Sequence, residues 1–511
     1  MHSPSVSDSV VANMGYKVRN LALSQQPSID IFLKGTQGVH SAYVTSFSTM
    51  DKLEGTVSIT AKHDTRFDEL EIAFVGVSKT WVDRMTSGTT MNGRTEASHR
   101  FLKLIQPIED SSLPQPRIAE AGRTYSFPFT FVVPQQLVDS ACDIVSNDQI
   151  KSAHLQVPPS LGDPDLSGFG GVLLDDLSPS MAKISYAIQV KMTRYRETDG
   201  KAVTVADKAR KVRVKPAFEE QPPLSVDEKD EEYRLRQEKT IRKGLFKGKL
   251  GRLVIETAQP KSFSLPASNS NTVTTMAKVL LRFDPAEASA QPPKLGSLSS
   301  KLKIGTWFST KPRKDYPSKK VFMYDARQGL YSETLSLSSR CVESAKWERH
   351  TSASTLTRRD SAVSDVSSDG LPEASSNYAG GMFYTAQILV PLTLPTNKNF
   401  VPTFHSCLIS RVYALKLELS VQAPGMTGPS MSLKVPVQIS AEGSARQEEH
   451  RRSIEEAARA AIEAEAVFRA RSVAPPSDEY LGSSTAMTAL PPQYEFVAPG
   501  SPIARQTVSA W

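Results

Sequence analysis

Short stretches in which apolar and polar residues alternate recur along most of the chain. The clearest stretch runs from Lys183 to Met192, and its alternate apolar residues are Ile184, Tyr186, Ile188, Val190 and Met192. Such alternation predicts a β-strand with one buried and one solvated face. Similar strands are predicted at 29–33, 56–60, 69–74 and 125–133. Pro128, in the middle of the last stretch, predicts an edge strand or a bend.

The second half of the chain carries a comparable set of stretches. They lie at 253–255, 279–283, 302–308, 386–390, 415–421 and 433–439. No long helix-period segment separates these strands, and Pro, Gly and Ser fill the connections. Many short strands joined by such loops are typical of antiparallel sandwiches. The pattern therefore predicts an all-β protein with two tandem sandwiches, over 27–218 and 251–441.

The segment between the predicted sandwiches, 219–250, is dense in charge of both signs. Its central part, 227–242, predicts a solvated helix. A basic stretch follows, made of Arg242, Lys243, Lys247, Lys249 and Arg252. Basic residues near an anionic lipid surface contribute about 1 kcal/mol each. The stretch is thus either a lipid contact or an ordinary interdomain linker, and we favour the linker.

A second unusual segment, about 348–380, is nearly all Ser, Thr, Asp and Ala in its central part. It has too little apolar surface to offset its ordering entropy, which predicts a disordered insertion in the second sandwich. The sequence Arg358-Arg359-Asp360-Ser361 fits a basic-directed kinase pattern and makes Ser361 a candidate phosphosite. A phosphate there would add about −1.5 to −2 charges beside two arginines.

The C-terminal part is predicted to be a helix over 442–471 and a disordered tail over 472–511. Ser444 and Gln447 have the spacing of a capping box at the start of the helix. The tail contains Pro491, Pro492 and Tyr494 in a Pro-Pro-x-Tyr arrangement. Two prolines favour polyproline II, and the tyrosine offers an aromatic anchor to a WW-domain groove. The alternative is a Pro-rich tail with an incidental tyrosine.

Composition narrows the function classes. The 511 residues carry a net charge of +7, which suits an acidic partner or an anionic membrane. Residues 1–26 are predicted to be a disordered tail without a secretory signal. No apolar run is long enough to span a bilayer. The three cysteines are far apart in sequence, which favours reduced thiols in a cytosolic protein.

The sequence shows no signature of catalysis. It lacks a nucleotide loop, a serine elbow and a paired-carboxylate motif, which favours a binding protein without cofactors over an enzyme. Basic residues do not interleave with aromatics, so nucleic acid is not an expected partner. His405 and Cys407 are a close pair, but no other Cys or His lies near them in sequence. We interpret them as alternate residues of a strand rather than as metal ligands.

Several strand sequences resemble known ones. Residues 53–59, 70–81, 125–134 and 184–190 resemble the first domain of arrestins, and 402–415 with 435–439 resemble the second. Together with the Pro-Pro-x-Tyr tail, their order resembles the α-arrestin family, in particular fungal arrestin-related trafficking adaptors. The resemblance covers about 27–441 and the tail motif. The buried charged cluster of visual arrestins is not located from the sequence.

This resemblance implies two tandem arrestin-like, immunoglobulin-type β-sandwiches in a non-enzymatic adaptor. The adaptor would recruit a WW-domain HECT-type ubiquitin ligase, through Pro491, Pro492 and Tyr494, to an integral membrane transporter or receptor. It would promote ubiquitination and endocytosis from the cytoplasm, as a peripheral protein at the plasma membrane and endosomes. Anionic lipid is a further candidate partner. Candidate ubiquitin acceptors on the adaptor are Lys239, Lys243, Lys247 and Lys249.

Two other functions fit the same resemblance. One is an arrestin-fold signalling scaffold for a seven-helix sensor, as in ambient pH signalling. The other is a retromer-like sorting subunit, against which the Pro-Pro-x-Tyr motif argues. The sequence does not identify the cargo, because loop surfaces on sandwiches carry no linear code.

Overall fold

The structure is a computed structural model of the chain. It describes residues 26–34, 46–84, 93–145, 147–164, 168–169, 172–227, 230–244, 248–266, 272–351, 371–423, 426–443 and isolated positions between 452 and 462. The described strands all lie in one compact unit, Met1–Arg452. Among the described residues, no helix has both the length and the apolar character needed to cross a bilayer.

The first half of the chain forms a sandwich of two sheets. Its strands are β1 (Ser28–Leu33), β2 (Ser46–Phe47), β3 (Lys52–Thr60), β4 (Thr65–Arg66), β5 (Glu69–Arg84), β6 (Gly93–Ile105), β7 (Ile118–Ala119), β8 (Thr124–Val132), β9 (Gly168–Phe169), β10 (Val172–Leu173), β11 (Ala182–Tyr195) and β12 (Ala202–Val214). One sheet has the order β1-β3-β8 and the other β2-β12-β11-β5-β6. The rings of Phe74 and Phe131, one from each sheet, lie 6.0 Å apart in the shared core.

Alternation along β11 produces the expected two faces. The apolar set from Ile184 to Met192 is buried, whereas the residues between them are only partly buried. Tyr186 is fully buried and its hydroxyl donates a hydrogen bond to the Pro158 carbonyl at 2.5 Å. Pro128 lies in β8, at the edge of its sheet. An edge strand leaves one side unpaired, so the missing proline N–H is tolerated there.

The second half forms another sandwich. Its strands are β13 (Arg236–Arg242), β14 (Lys249–Thr257), β15 (Phe263–Leu265), β16 (Thr274–Pro285), β17 (Lys294–Ser309), β18 (Gln328–Cys341), β19 (Glu348–Thr351), β20 (Met382–Thr393), β21 (Phe404–His405), β22 (Ile409–Ala423), β23 (Met426–Val437) and β24 (Ile439–Ala441). One sheet has the order β13-β14-β16-β20-β19, and the other has the order β18-β17-β22-β21 with β23 also paired to β22. The buried side chains of both sheets form a second core. The predicted all-β class is confirmed.

Helices are short in the described part of the chain. The α-helices are α1 (Asp148–Leu155) and α2 (Lys319–Tyr324), and one-turn 3-10 helices lie at Asp110–Ser112 and Asp139–Ala141. No pattern in the sequence predicted α1. Its start is fixed by Asn147, whose side chain accepts hydrogen bonds from the main-chain N–H groups of Gln149 and Ile150. Such a cap favours a short helix that has little apolar periodicity.

The helix predicted over 227–242 is wrong, because 236–242 form strand β13. This strand lies at the edge of its sheet. Its charges are matched across the ladder, since Glu238 pairs with Arg252 of β14 at 3.2 Å. Mixed charge suits such an exposed edge as well as it suits a helix. The basic stretch after it therefore belongs to the β13–β14 hairpin and is not an interdomain linker.

The structure contradicts the two ends of the disordered insertion predicted over about 348–380. Residues 348–351 form β19, and 371–381 are described, whereas 352–370 lie outside the described residues. Hydrogen bonding holds the returning segment: Ser375 N–H donates to Asp284 Oδ2 at 2.7 Å, and Arg282 donates to the Pro372 carbonyl at 3.0 Å. Residues 371–381 are thus held by polar contacts, which the low content of apolar residues in this segment does not reveal.

Further predictions concern the two ends of the chain. Several positions between 452 and 462 are helical, within the predicted 442–471 helix. Residues 1–25 and those after 462 lie outside the described part of the chain. The two predicted tails and the boundaries of the helix therefore stay predictions.

Candidate functional site

The two sandwiches exchange core side chains where they meet. Leu177, which precedes β11 of the first sandwich, is buried in the core of the second. In the opposite direction, Phe404, Leu408 and Ile409 of the second sandwich are buried in the core of the first. The sandwiches also share a direct hydrogen bond: the Thr80 hydroxyl on β5 donates to the Ser309 carbonyl on β17 at 2.7 Å. The sandwiches are therefore joined by reciprocal burial as well as by the chain.

Leu177 belongs to a connecting segment that we name the strap, Asp175–Pro179. The Lys398 ammonium donates to Asp175 Oδ2 at 2.8 Å, and the Asn399 N–H donates to the Asp175 carbonyl at 2.9 Å. Leu177 adopts a left-handed backbone conformation with φ of 59°. This conformation is costly for a residue with a Cβ and is retained where surrounding contacts define it.

Buried charges flank the strap. Arg411, on β22, is 1% exposed and donates to the Asp176 carbonyl at 3.2 Å and to the Ser178 hydroxyl at 2.6 Å. The Asp176 carboxylate accepts the Gly162 N–H at 2.7 Å. Burial lowers the pKa of Arg213 to about 10, against the opposing effect of the Asp176 charge. The structure thus contains a buried group of two arginines and an aspartate that the sequence analysis did not locate.

A cavity of about 230 Å³ opens beside this group. Residues of both sandwiches line it, with Asp51, Arg213 and Lys215 on one side and Lys398 and Glu442 on the other. Burial, and then the charge of Arg213, lowers the pKa of Lys215 to about 7. This wall of the cavity thus combines the Arg213 guanidinium and the partly protonated Lys215 amine with the Asp51 carboxylate.

A cluster of sulfur and imidazole groups lies at another point of the same junction. Cys142, His154 and Cys407 are all buried, and one ligand atom of each lies within 4.8 Å of the others. The interpretation of His405 and Cys407 as alternate residues of one strand is wrong, because Cys407 lies between β21 and β22. Sequence proximity could not reveal this cluster, because Cys142 and His154 come from the other sandwich.

Burial keeps His154, Cys407 and the neighbouring His405 in their neutral forms. Burial, and then the charge of Arg313, lowers the pKa of His154 to about 4. The same two causes, followed by His154, lower the pKa of His405 to about 3. Burial and the neighbouring Cys142 raise the pKa of the Cys407 thiol to about 12. At neutral pH the imidazoles thus retain free lone pairs and the Cys407 sulfur is protonated.

The predicted ligase motif and phosphosite cannot be placed. Pro491, Pro492, Tyr494 and Ser361 lie outside the described residues, as does Lys247.

The three remaining candidate acceptors lie on the β13–β14 hairpin. Lys239 donates to the Ser430 carbonyl at 2.6 Å, and Lys243 pairs with Glu287 at 3.0 Å. Lys249 is exposed at the start of β14. Its ammonium is therefore the most accessible of the three.

Comparison with known proteins gives one family. Residues 325–441 match the sequence model of the family described as Bul1 C terminus. The matched segment ends where β24 ends and includes β18 to β24 of the second sandwich. Comparison with curated proteins gives no match.

The fold and the match together define the class of protein. The strands form an all-β, arrestin-like sandwich architecture. The match over residues 325–441 supports the arrestin-related trafficking adaptors, the family of Bul1, and is carried by the second sandwich.

Proposed function

We propose that this protein is a non-enzymatic adaptor that brings a WW-domain HECT-type ubiquitin ligase to transporters or receptors of the plasma membrane. The observation that carries the proposal is the match of residues 325–441 to the Bul1 C terminus family. The Pro491-Pro492-Gln493-Tyr494 sequence supplies the ligase-binding element. Ubiquitination and endocytosis of the cargo are the expected outcome, with the adaptor peripheral to plasma and endosomal membranes on their cytoplasmic side.

The mechanism is bivalent binding. The sandwiches would hold the cytoplasmic face of the cargo while the tail holds the ligase. Linking the two raises the effective concentration of the ligase near cargo lysines without any new contact. A single weak motif is sufficient in such an arrangement, because both partners are kept at the same membrane.

The ligase step is tested by co-purification with the WW domains of a HECT-type ligase. We expect Tyr494→Ala to reduce recovery at least tenfold, since the aromatic anchor is lost. Tyr480→Ala is the matched control, because Tyr480 lies in the degenerate copy Ala474-Pro475-Pro476-Ser477-Asp478-Glu479-Tyr480. It should leave recovery unchanged. Undiminished recovery with Tyr494→Ala would remove the ligase from the proposal.

The cargo step is tested by cross-linking the full chain in cells and identifying its partners. Transporters whose ubiquitination depends on Tyr494 are the expected partners. Recovery of a seven-helix sensor whose ubiquitination is independent of Tyr494 would support the scaffold function instead.

Ubiquitin transfer to the adaptor itself should favour Lys249 over Lys239. Lys249 is exposed, whereas the Lys239 ammonium is hydrogen bonded to the Ser430 carbonyl. We expect Lys249→Arg to remove more adaptor ubiquitination than Lys239→Arg, as measured by mass spectrometry of ubiquitin remnants. The opposite order would reject this choice of acceptor.

A further inference from the structure

Two thiols and an imidazole from three separate parts of the chain converge at the junction between the sandwiches. Cys142 follows the 3-10 helix Asp139–Ala141, His154 lies on α1, and Cys407 lies between β21 and β22. Cys142 Sγ and His154 Nδ1 are 3.4 Å apart. Cys407 Sγ lies 3.8 Å from the Ala141 carbonyl, next to Cys142. All three residues are buried.

The main chain on both sides of the cluster is fixed by hydrogen bonds. On the first-sandwich side, the Leu137 N–H donates to the Leu155 carbonyl at 2.7 Å, which anchors the end of α1. On the other side, the Ser406 N–H donates to the Ile409 carbonyl at 2.9 Å, and the Arg313 N–H donates to the Cys407 carbonyl at 3.0 Å. The main chain that carries the ligand atoms is therefore held in position by the fold.

A fourth donor lies nearby in the chain. His405 precedes Cys407 by two residues, and its Nδ1 is buried without a hydrogen-bond partner. A buried nitrogen without a partner costs free energy unless something binds it. Its ring packs edge-on against Tyr316, with centroids 4.7 Å apart.

We propose that Cys142, His154 and Cys407 form a binding site for a soft divalent cation, with Zn²⁺ as the expected ion and His405 or water in the fourth position. Two sulfurs and imidazole nitrogen are the donors that Zn²⁺ takes in tetrahedral sites. Binding deprotonates both thiols and releases two protons to solvent. The two thiolates then neutralise the ion.

The charge of Arg313 selects among ions. Its guanidinium is buried and donates to the Ser410 hydroxyl at 2.6 Å, while its Nε and Nη1 are buried without partners. This positive charge opposes a hard cation bound by neutral ligands. It does not oppose a dithiolate complex, whose net charge is zero. The surroundings thus favour a thiophilic ion over Mg²⁺ or Ca²⁺.

The simpler interpretation is that the two cysteines are small apolar residues of a core. It explains their burial, and the Cys142–His154 hydrogen bond gives the imidazole a partner, but it does not account for the unpartnered Nδ1 of His405 or for the convergence of three metal-ligand side chains. A bound ion accounts for the convergence of the three side chains, and also for the His405 nitrogen when His405 is the fourth ligand. Because Cys142 and Cys407 belong to different sandwiches, the ion would also link the two sandwiches and stabilise their junction.

The test uses the full chain, purified without a polyhistidine tag, reduced, loaded with Zn²⁺ and dialysed. Elemental analysis should find about one zinc per chain, as expected for a single tetrahedral site. Cys142→Ser and Cys407→Ser should each reduce this content at least tenfold. Cys341→Ser is the matched control, because Cys341 is exposed on β18, and it should retain the metal.

A second measurement needs no variant. Wild-type protein loaded with Co²⁺ should show a sulfur-to-cobalt charge-transfer band and the visible bands of a tetrahedral ion. If His405 is the fourth ligand, His405→Gln should weaken Zn²⁺ affinity at least tenfold, whereas unchanged affinity assigns that position to water. Both results support the site.

Two results would overturn the proposal. One is wild-type protein that binds no more zinc than the Cys142→Ser/Cys407→Ser double variant and shows no cobalt–sulfur band. The other is a Cys142–Cys407 disulfide found by mass spectrometry in protein isolated from cells, since a disulfide cannot bind the ion. Neither result depends on Tyr494, so the test of the metal site and the test of ligase binding are independent.

Discussion

The Arg411 guanidinium donates a hydrogen bond to the Asp176 carbonyl at 3.2 Å, which joins β22 of the second sandwich to the strap of the first. We expect Arg411→Met to lower the free energy of unfolding by about 2–4 kcal/mol, because it leaves buried oxygens without a donor. Denaturant unfolding measures this change. Faster hydrogen exchange at the Leu177 amide, which donates to Asp175 Oδ1, should accompany it.

Arg340→Met is the control for this substitution, because Arg340 is exposed on β18. It should change stability by less than about 0.5 kcal/mol. If both substitutions lowered the free energy of unfolding equally, the contact between Arg411 and the strap would contribute nothing to stability.

A buried ion pair holds the segment that follows the insertion. Arg282 and Asp284 are 2.8 Å apart, and the Asp284 side chain is 0% exposed. We expect Asp284→Ala to cost about 3–5 kcal/mol, because the arginine is left as an uncompensated buried charge. The substitution also removes the acceptor of Ser375 N–H, so limited proteolysis near 371–376 should be faster.

Glu54→Ala is the matched control for that pair. Glu54 and Lys34 lie 3.2 Å apart, but both side chains are at least one-third exposed. Such a pair contributes at most about 1 kcal/mol. A loss at Asp284 no larger than the loss at Glu54 would contradict a structural role for the buried pair.

Gly55 occupies a position without space for a side chain. A Cβ there would collide with the Phe32 carbonyl and with the Phe129 ring. We expect Gly55→Ala to destabilise the first sandwich by about 1–3 kcal/mol, because β3 is held between two strands and cannot easily move. Gly93→Ala is the comparison, since nothing lies within 4 Å of its Cβ. Thermal unfolding of both variants measures the difference, and equal melting temperatures would refute the prediction.

Lys215 gives the stability of the protein a dependence on pH. Its pKa is about 7 in the folded protein, whereas an unfolded lysine titrates near 10.4. Between these values the unfolded chain binds more protons, so the free energy of unfolding increases as pH rises from about 7 to 10. Lys215→Met should remove this increase and stabilise the protein at pH 7 by at most about 4 kcal/mol.

Denaturant unfolding at several pH values provides the measurement for Lys215. Lys52→Met serves as control because Lys52 is exposed on β3, and it should preserve the slope of stability against pH. If Lys215→Met kept the wild-type slope of unfolding free energy against pH, a group other than Lys215 would be responsible for the pH dependence.

The alternation from Ile184 to Met192 was sufficient to predict β11 and its buried face. Strands with one buried face carry their pattern locally, so β3, β5, β22 and β23 could be predicted in the same way. The helix predicted over 227–242 was wrong because opposite charges stabilise both neighbouring side chains on a helix and paired side chains on adjacent strands. Only the presence of β14 beside it decides between these structures.

The sequence by itself determined the all-β class, the two sandwiches and the resemblance to arrestin-related adaptors. The tertiary structure decided which distant side chains meet: Leu177 in the second core, Arg411 beside Asp176, and Cys142 and His154 beside Cys407. The physical reason is the distance along the chain between the residues that interact. Periodic burial depends on neighbours along one strand, whereas these contacts join segments more than 200 residues apart and exist only when both sandwiches are folded and packed together.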